Sequence, residues 1–407
     1  MASVTVQMGS AAAYPQPAPL TFVAMNSDPM PGYLTPITDS TWGTRIVRIT
    51  NVDGRRNGYP TNQAWSKNGT WLYLAGRTTA SLRRLLNGVT YEDIGSVSTT
   101  PQQIIWSNTD DNKGYGLHES LRNIYSWDPN TRTSVTQIAT FSATGGSRRA
   151  DQPADWIGIY AGGVWNISID DHLVGFWADR GDGTWDAVAY DPVDDRIEAY
   201  LNVSTIPTAV VVSISGNYII VDQSSISARK VYTMTARVGT TPGTFTHVRD
   251  ISITNGSHGL PGVDHNGADI WIRCAGYGDV IRLDTGASTQ LVPADTCVSG
   301  GHAGYAINRP GYVTWSVDHV ASSGRLTEAG YGQLICTPTG AGTLPDVEVF
   351  GCHHNMVTTA AAASAGDALR LYAAPDRDGR RVLFGGDWHG EVAYSGSTYA
   401  FVAGLSV

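Results

Sequence analysis

Seven times along the chain a turn-forming pair feeds a short run of apolar residues. The pairs are Asn68-Gly69, Asp111-Asn112, Asp170-Asp171, Gly216-Asn217, Asn266-Gly267, Pro310-Gly311 and Asp378-Gly379. The runs are Trp71 to Leu74, Gly114 to Gly116, Leu173 to Trp177, Tyr218 to Val221, Asp269 to Ile272, Tyr312 to Trp315 and Val382 to Phe384. A residue that tolerates positive φ, followed by β-branched and aromatic residues, predicts a hairpin entry. Recurrence every roughly 40–65 residues predicts a β-propeller, one four-stranded sheet per repeat.

A second marker follows most of these runs: an apolar stretch ending in a polar turn. Ile124 to Asn130, Val188 to Pro192, Lys230 to Tyr232, Val280 to Gly286 and Glu391 to Tyr394 have this form. It is the pattern of a third strand turning into a fourth. The second repeat is the weakest, because Asn112-Lys113-Gly114 is polar and its strand is short. The expectation is an all-β fold of seven four-stranded blades over residues 42–407, preceded by an extended N-terminal arm at 1–41. No stretch carries a helical period, and the alanine-rich segment Thr358 to Ala365 reads as a loop. Each blade of a propeller packs only on its neighbours, so 407 residues fit one domain.

The formal charge of −9 argues against general nucleic-acid binding, which requires a basic face. The positive charge is arginine apart from Lys67, Lys113 and Lys230. Arginine suits planar recognition of carboxylate and sulfate. No apolar run reaches the length of a membrane span. The start of the chain lacks the charged and hydrophobic regions of a signal peptide. An extended arm that swaps between subunits predicts an oligomer.

Nine of the ten histidines follow Ala150. Loops of neighbouring blades converge at the mouth of a propeller channel. A zinc site drawn from His258, Cys297, His302 and one of His353 or His354 supplies the nitrogen and sulfur donors that zinc takes. The competing reading is hydrogen-bonded turn histidines and buried cysteines acting as small apolar residues. Trp65, Trp71, Trp271 and Trp315 lie in predicted strands and read as core, whereas Trp156, Trp165 and Trp185 lie near predicted loops and could stack on sugars. Tyr305 is a candidate to face the channel beside His302. Arg309, before Pro310-Gly311, either contacts substrate or staples its turn to the next blade. Asp179, Asp182 and Asp186 with Gly181 and Gly183 faintly resemble a calcium loop but lack its terminal glutamate.

Several segments together resemble the propeller polysaccharide lyases of the ulvan-lyase type and, more distantly, oligogalacturonate lyase. They are Gly43 to Thr50, Gln63 to Gly69, Ser257-His258-Gly259, Gly300-Gly301-His302 with Ile307 to Gly311, Cys352-His353-His354, and Asp378 to Phe384 through Asp387-Trp388. The resemblance implies a uronic-acid-containing anionic polysaccharide as substrate and cleavage by β-elimination. That reaction needs a cation or metal on the carboxylate, a base for the C5 proton and an acid for the leaving oxygen. In the family a histidine pair, a tyrosine and an arginine from the middle blades serve. The candidates here are His118, His172, Tyr218 and Arg229. Where relatives show a histidine before the last turn, this chain has Tyr372. The alternative is a non-catalytic propeller that binds a glycan or a protein, for example a virion or appendage component. An extracellular or virion-associated setting fits both.

Overall fold

The computed structural model describes residues 18–19, 23, 26–51, 55–56, 62–76, 83–97, 103–132, 135–142, 148–162, 165–223, 228–252, 259–273, 278–292, 303–317, 332–340, 346–354, 373–386, 388 and 399–404. Among these residues the regular structure is β-strand. His258, Cys297, His302, Tyr372 and the alanine-rich segment lie outside them.

All seven predicted turn pairs sit between antiparallel strands, and the mechanism of the turn repeats. In five of the seven a serine or aspartate side chain at the start of the turn caps its backbone, and a residue with positive φ reverses it. Ser168 Oγ accepts the Leu173 N–H at 2.9 Å, and Asp171 has φ 67°. Ser213 Oγ accepts Tyr218 N–H at 3.1 Å across Gly216, φ 81°. Asp264 Oδ1 accepts Asn266 and Ala268 N–H at 2.8 and 2.9 Å across Gly267, φ 82°. These are Asx and serine turns, so the local chemistry is enough to form them. Even the polar second repeat forms its strand, Gly114–His118.

The chain divides into two compact units. One is Ser98–Thr254 with Arg282–Gly286; the other is the remainder, Met1–Val97, Asn255–Ile281 and Ala287–Val407.

In the first unit, Gln103–Trp106, Gly114–His118, Asn123–Trp127 and Val135–Thr140 form a four-stranded antiparallel meander. An eight-stranded sheet follows. Its first half is the meander Gly158–Tyr160, Val174–Asp179, Trp185–Asp191 and Arg196–Val203. Its second half is the meander Pro207–Val212, Ile219–Gln223, Ala228–Met234 and Gly243–Ser252. The halves join through one short parallel contact, Ala199 to Gly243 and Tyr200 to Thr244. Gly175 is required where they pack: a Cβ there would lie 2.2 Å from the Val210 carbonyl oxygen.

In the second unit, the described strands form two four-stranded and two five-stranded sheets. One five-stranded sheet runs Ala303–Tyr305, Tyr312–Ser316, Gln333–Pro338 and Asp346–Cys352, with Ala18–Pro19 on its edge. The other draws on both ends of the chain. Ala374–Pro375, Arg381–Gly386 and Tyr399–Gly404 continue into Arg45–Arg48 and then Ile37–Thr38.

Alternate residues along a strand enter different cores, so these sheets are buried on both faces: Phe176, Val188 and Tyr190 enter one cluster, and Trp177, Ala187 and Ala189 another. Phe141, Trp156, Trp165, Phe176 and Tyr190 anchor one cluster in the first unit. Trp65, Leu72, Leu74 and Val402 anchor another in the second. Each such side chain contributes about 1.5–3 kcal/mol through burial. Trp65, Trp271 and Trp315 are core residues, as expected, while Trp71 is half-buried. Among the described residues no helix is long and apolar enough to cross a membrane.

Candidate functional site

Of the expected metal ligands, His353 and His354 lie within the described residues. They follow the strand Asp346–Cys352 and are both buried. The His353 Nε2 is 3.2 Å from the Val317 carbonyl, a backbone contact that fixes the ring. His354 adopts φ 52°, which turns its ring flat onto Trp388, with centroids 4.1 Å apart and planes at 24°. Trp388 in turn donates its indole N–H to the Asp28 carbonyl at 3.0 Å.

The His354 ring points at two carboxylates that sequence reading missed. Its Nε2 is 3.9 Å from Asp39 Oδ2. One donor atom each of Asp28, Asp39 and His354 falls within 4.8 Å of the others. Asp39 is fully buried and held hard. Its Oδ1 accepts the Thr41 and Trp42 N–H at 2.9 Å and Asn26 Nδ2 at 3.1 Å, and its Oδ2 accepts Cys352 N–H at 2.9 Å. Asp28 Oδ2 accepts Ser40 N–H at 2.7 Å. Among the described residues no lysine or arginine pairs with either carboxylate. Two like charges at that spacing repel by roughly 3–4 kcal/mol at an effective dielectric of about 20. The donor set therefore fits a divalent cation: two carboxylate oxygens and an imidazole nitrogen suit an oxygen-preferring ion such as manganese. The local clue in the sequence is weak, because Asp39-Ser40-Thr41-Trp42 reads only as an Asx turn.

The expected catalytic set is divided between opposite ends of strands in the first unit. The turns at 107–112, 168–173 and 213–218 touch one another. Asp171 Oδ1 accepts Asn108 N–H at 2.7 Å, and Ile169 N–H donates to Ile214 O at 2.8 Å. His172 and Tyr218 belong to this row of turns. His118 stands at the far end of Gly114–His118, and Arg229 pairs with Asp222 toward the far end of Ile219–Gln223. A five-residue strand separates the two ends by roughly 15 Å. Arg229 is buried, with Nε and Nη2 at 3.0 and 2.8 Å from Asp222 Oδ2. His118 Nδ1 accepts Leu121 N–H at 3.2 Å.

His172 has the most chemical potential of the four. Its side chain is 45% exposed, and its Nδ1 lies 2.8 Å from the buried Asp191 Oδ2. That hydrogen bond raises the imidazole pKa above its ordinary value, against the opposing effect of burial, and the Asp191, Asp170 and Asp194 charges add to the rise. Donation from Nδ1 to Asp191 leaves the neutral ring with its lone pair on Nε2. Asp194 also lies within 4.8 Å of this pair, but Arg196 reaches into the cluster, 2.9 Å from Asp194 and 3.8 Å from Asp191. The cluster thus carries its own cation. Tyr115, which sequence reading also missed, is a buried phenol whose pKa is raised by burial and by Asp171, Asp191 and Asp110.

The expected sugar platforms need correction. Trp156 and Trp165 are wholly buried. Trp156 donates to Asp186 at 2.8 Å and packs on Phe141 and Phe176, so neither face can meet a ligand. Trp185 is half-buried against the cluster containing Trp177 and Val212. Tyr305 is buried, and burial raises its pKa. Arg309 is also buried, and it forms two 2.6 Å hydrogen bonds to Glu348 with its guanidinium 3.7 Å over Tyr312, the stapling role. Asp186 is spent on Arg180 and Trp156, which leaves no calcium loop at 179–186.

No protein-family profile and no curated protein matches the chain. Solved structures do. An oligogalacturonate lyase in complex with manganese aligns over 97% of this chain and 98% of its own, at 13% identity and a TM-score of 0.59. The oligogalacturonate lyase of Vibrio parahaemolyticus aligns over 95% and 98%, at 12% identity and a TM-score of 0.59. The fold is a β-propeller. At this identity the likeness extends to the fold alone.

Proposed function

We propose that this chain is a carbohydrate-active propeller that cleaves uronic-acid-containing anionic polysaccharides by β-elimination. The observation that carries the reading is the fold likeness to oligogalacturonate lyase over 97% of the chain. The quoted sequence segments support the ulvan-lyase side of the same resemblance. In this reading the propeller has seven blades over residues 42–407 behind an N-terminal segment at 1–41. The eight-stranded sheet counts as two blades, because it consists of two consecutive four-stranded meanders whose strands pair across the join over two residues in parallel. The setting is extracellular or virion-associated, and an oligomer is expected.

A divalent cation belongs to this proposal, since the similar lyase is described in complex with manganese. Asp28, Asp39 and His354 would hold it. When bound, such an ion neutralises carboxylate charge near it. A zinc site using His258, Cys297 and His302 with His353 or His354 stays a separate proposal on residues outside those described.

For the proton transfers, His172 is the best placed acceptor. Asp191 fixes its tautomer and presents Nε2 outward, and the raised pKa keeps the base effective near neutral pH. Tyr218, on the adjacent turn, is the proposed proton donor to the leaving oxygen. His118 and Arg229, at the other strand ends, are assigned to substrate binding in this reading.

Incubation with ulvan, pectate or alginate tests the reaction. Elimination leaves an unsaturated uronate that absorbs in the ultraviolet where the polymer does not. Absence of an absorbance rise on every uronate polymer ends the lyase reading. It would favour the alternative, a non-catalytic propeller that binds a glycan or a protein. The engagement of Arg229 by Asp222 speaks for that alternative.

A further inference from the structure

We infer that the Asp28–Asp39–His354 cluster is a cation-dependent latch that fastens the N-terminal segment across the closing sheet of its unit. The inference rests on the cation reading above and is independent of catalysis. The closing sheet depends on the N-terminal strands, yet their hold is short. Arg45–Arg48 pairs with Tyr399–Gly404 over four residues, and Ile37–Thr38 adds two more. The cluster lies where three segments meet. Asp28 and Asp39 come from the N-terminal segment. His354 follows the outer strand of the neighbouring sheet. Trp388, beneath the imidazole, follows the Arg381–Gly386 strand and holds Asp28 by its carbonyl.

Three observations point to a ligand. The two carboxylates have no lysine or arginine partner among the described residues; apart from N–H donors, His354 is the group beside them. Asp39 is buried and Asp28 half-buried, and a buried charge is normally paired or coordinates a metal. Thr44 is 5% exposed, and its buried Oγ1 has no hydrogen-bond partner. Thr44 Oγ1 and Asp39 Oδ2 both face Gly351, 2.9 and 3.3 Å from the point a Cβ there would occupy. A hydroxyl oxygen there extends the donor set toward the oxygen-rich shell that manganese or magnesium takes. An ion bound to Asp28, Asp39 and His354 cross-links the N-terminal segment to a sheet to which its own strands contribute little hydrogen bonding. It binds the closed form only, so it stabilises closure by mass action.

The test uses the full chain stripped with a chelator and titrated with Mn²⁺. The expected result is a saturable rise in Tm of about 2–5 °C. In parallel, protease cleavage before Arg45, mapped by mass, should slow by about tenfold, since access follows local opening. Asp28→Asn should abolish both effects. Its amide oxygen can still accept the Ser40 N–H, so the fold survives, and Asp250→Asn, at an exposed site, serves as a control that keeps them. If Mn²⁺ leaves Tm and cleavage unchanged, the latch is overturned. If Asp28→Asn responds like the parent, the ion binds elsewhere and the latch is equally overturned. The outcomes separate from those of the lyase assay. Mn²⁺-dependent protection with no elimination removes the reaction and keeps the latch, whereas elimination without any protection removes the latch alone.

Discussion

Arg309 holds Glu348 in a buried bidentate pair, both hydrogen bonds 2.6 Å long, and lays its guanidinium over Tyr312 at 3.7 Å. The pair joins the turn after Ala303–Tyr305 to the strand Asp346–Cys352 of the same sheet. Removing one partner strands a buried charge. Arg309→Met is therefore expected to lower stability by about 3–5 kcal/mol, and Glu348→Gln by a comparable amount. The double variant Arg309→Met/Glu348→Met should recover much of that loss. Urea denaturation of the two single variants and the double variant measures the coupling. Additive losses would show that the pair contributes nothing as a pair.

At His172 the proposed base role and the folded-state pKa predict opposite responses of activity and stability to pH. Its pKa is raised in the folded state, chiefly by Asp191. A raised value means the stabilisation is fully present below the unfolded pKa of about 6.5 and is lost as pH rises through the folded value. The side chain is nearly half exposed, so the contribution is under about 1 kcal/mol. The urea midpoint should fall slightly across that window, and His172→Gln should flatten the fall. If His172 is the base, kcat/KM rises over the same window as the ring loses its proton. A rate that drops there removes His172 from that role.

The seven turns were legible because each is a local event. In five of them a serine or aspartate cap and a residue with positive φ lie within six positions of one another, as in Ser168 to Leu173. The cation cluster was not legible, because Asp39 meets His354 only when sheet closure brings the two ends of the chain together. The pairing of His172 with Asp191 falls between these cases. The sequence marks both as turn residues, but only the register of Val174 against Tyr190 places one turn beside the other. Trp156 and Trp165 were misplaced for a related reason. Nearness to a loop says nothing about whether the loop folds back, and the Asp186 carboxylate gives the Trp156 indole a buried partner that makes its burial cheap.

That correction separates two tryptophans experimentally. Trp156→Ala should cost about 3–5 kcal/mol, as deletion of a fully buried aromatic does. Its surviving folded fraction should bind polysaccharide with an unchanged KM. Trp185 is half-buried, so Trp185→Ala should cost less in stability and raise KM if its exposed face meets a sugar. Melting curves beside saturation kinetics distinguish the two. A KM effect at Trp156 would contradict its burial.

Cys336 and Cys352 are free and buried, and burial pushes both thiols up to about 12. The thiolate is the reactive form, so at pH 8 about one thiol in ten thousand is ionised at such a value. Cys336 lies among Thr314, Arg309 and Glu348, and Cys352 beside Asp39. Neither can be reached without opening the sheet Gln333–Pro338 and Asp346–Cys352. Alkylation by iodoacetamide, mapped to these two positions by mass, should therefore be negligible in the native protein and complete in urea. The rate at low urea should follow opening of that sheet. Glu348→Gln, by breaking the Arg309 pair, should speed labelling of Cys336 by tenfold or more if global unfolding controls access, since each 1.4 kcal/mol of lost stability multiplies the open fraction by about ten. Rapid labelling of both positions in the unperturbed native protein would instead show that this part of the sheet is open to solvent.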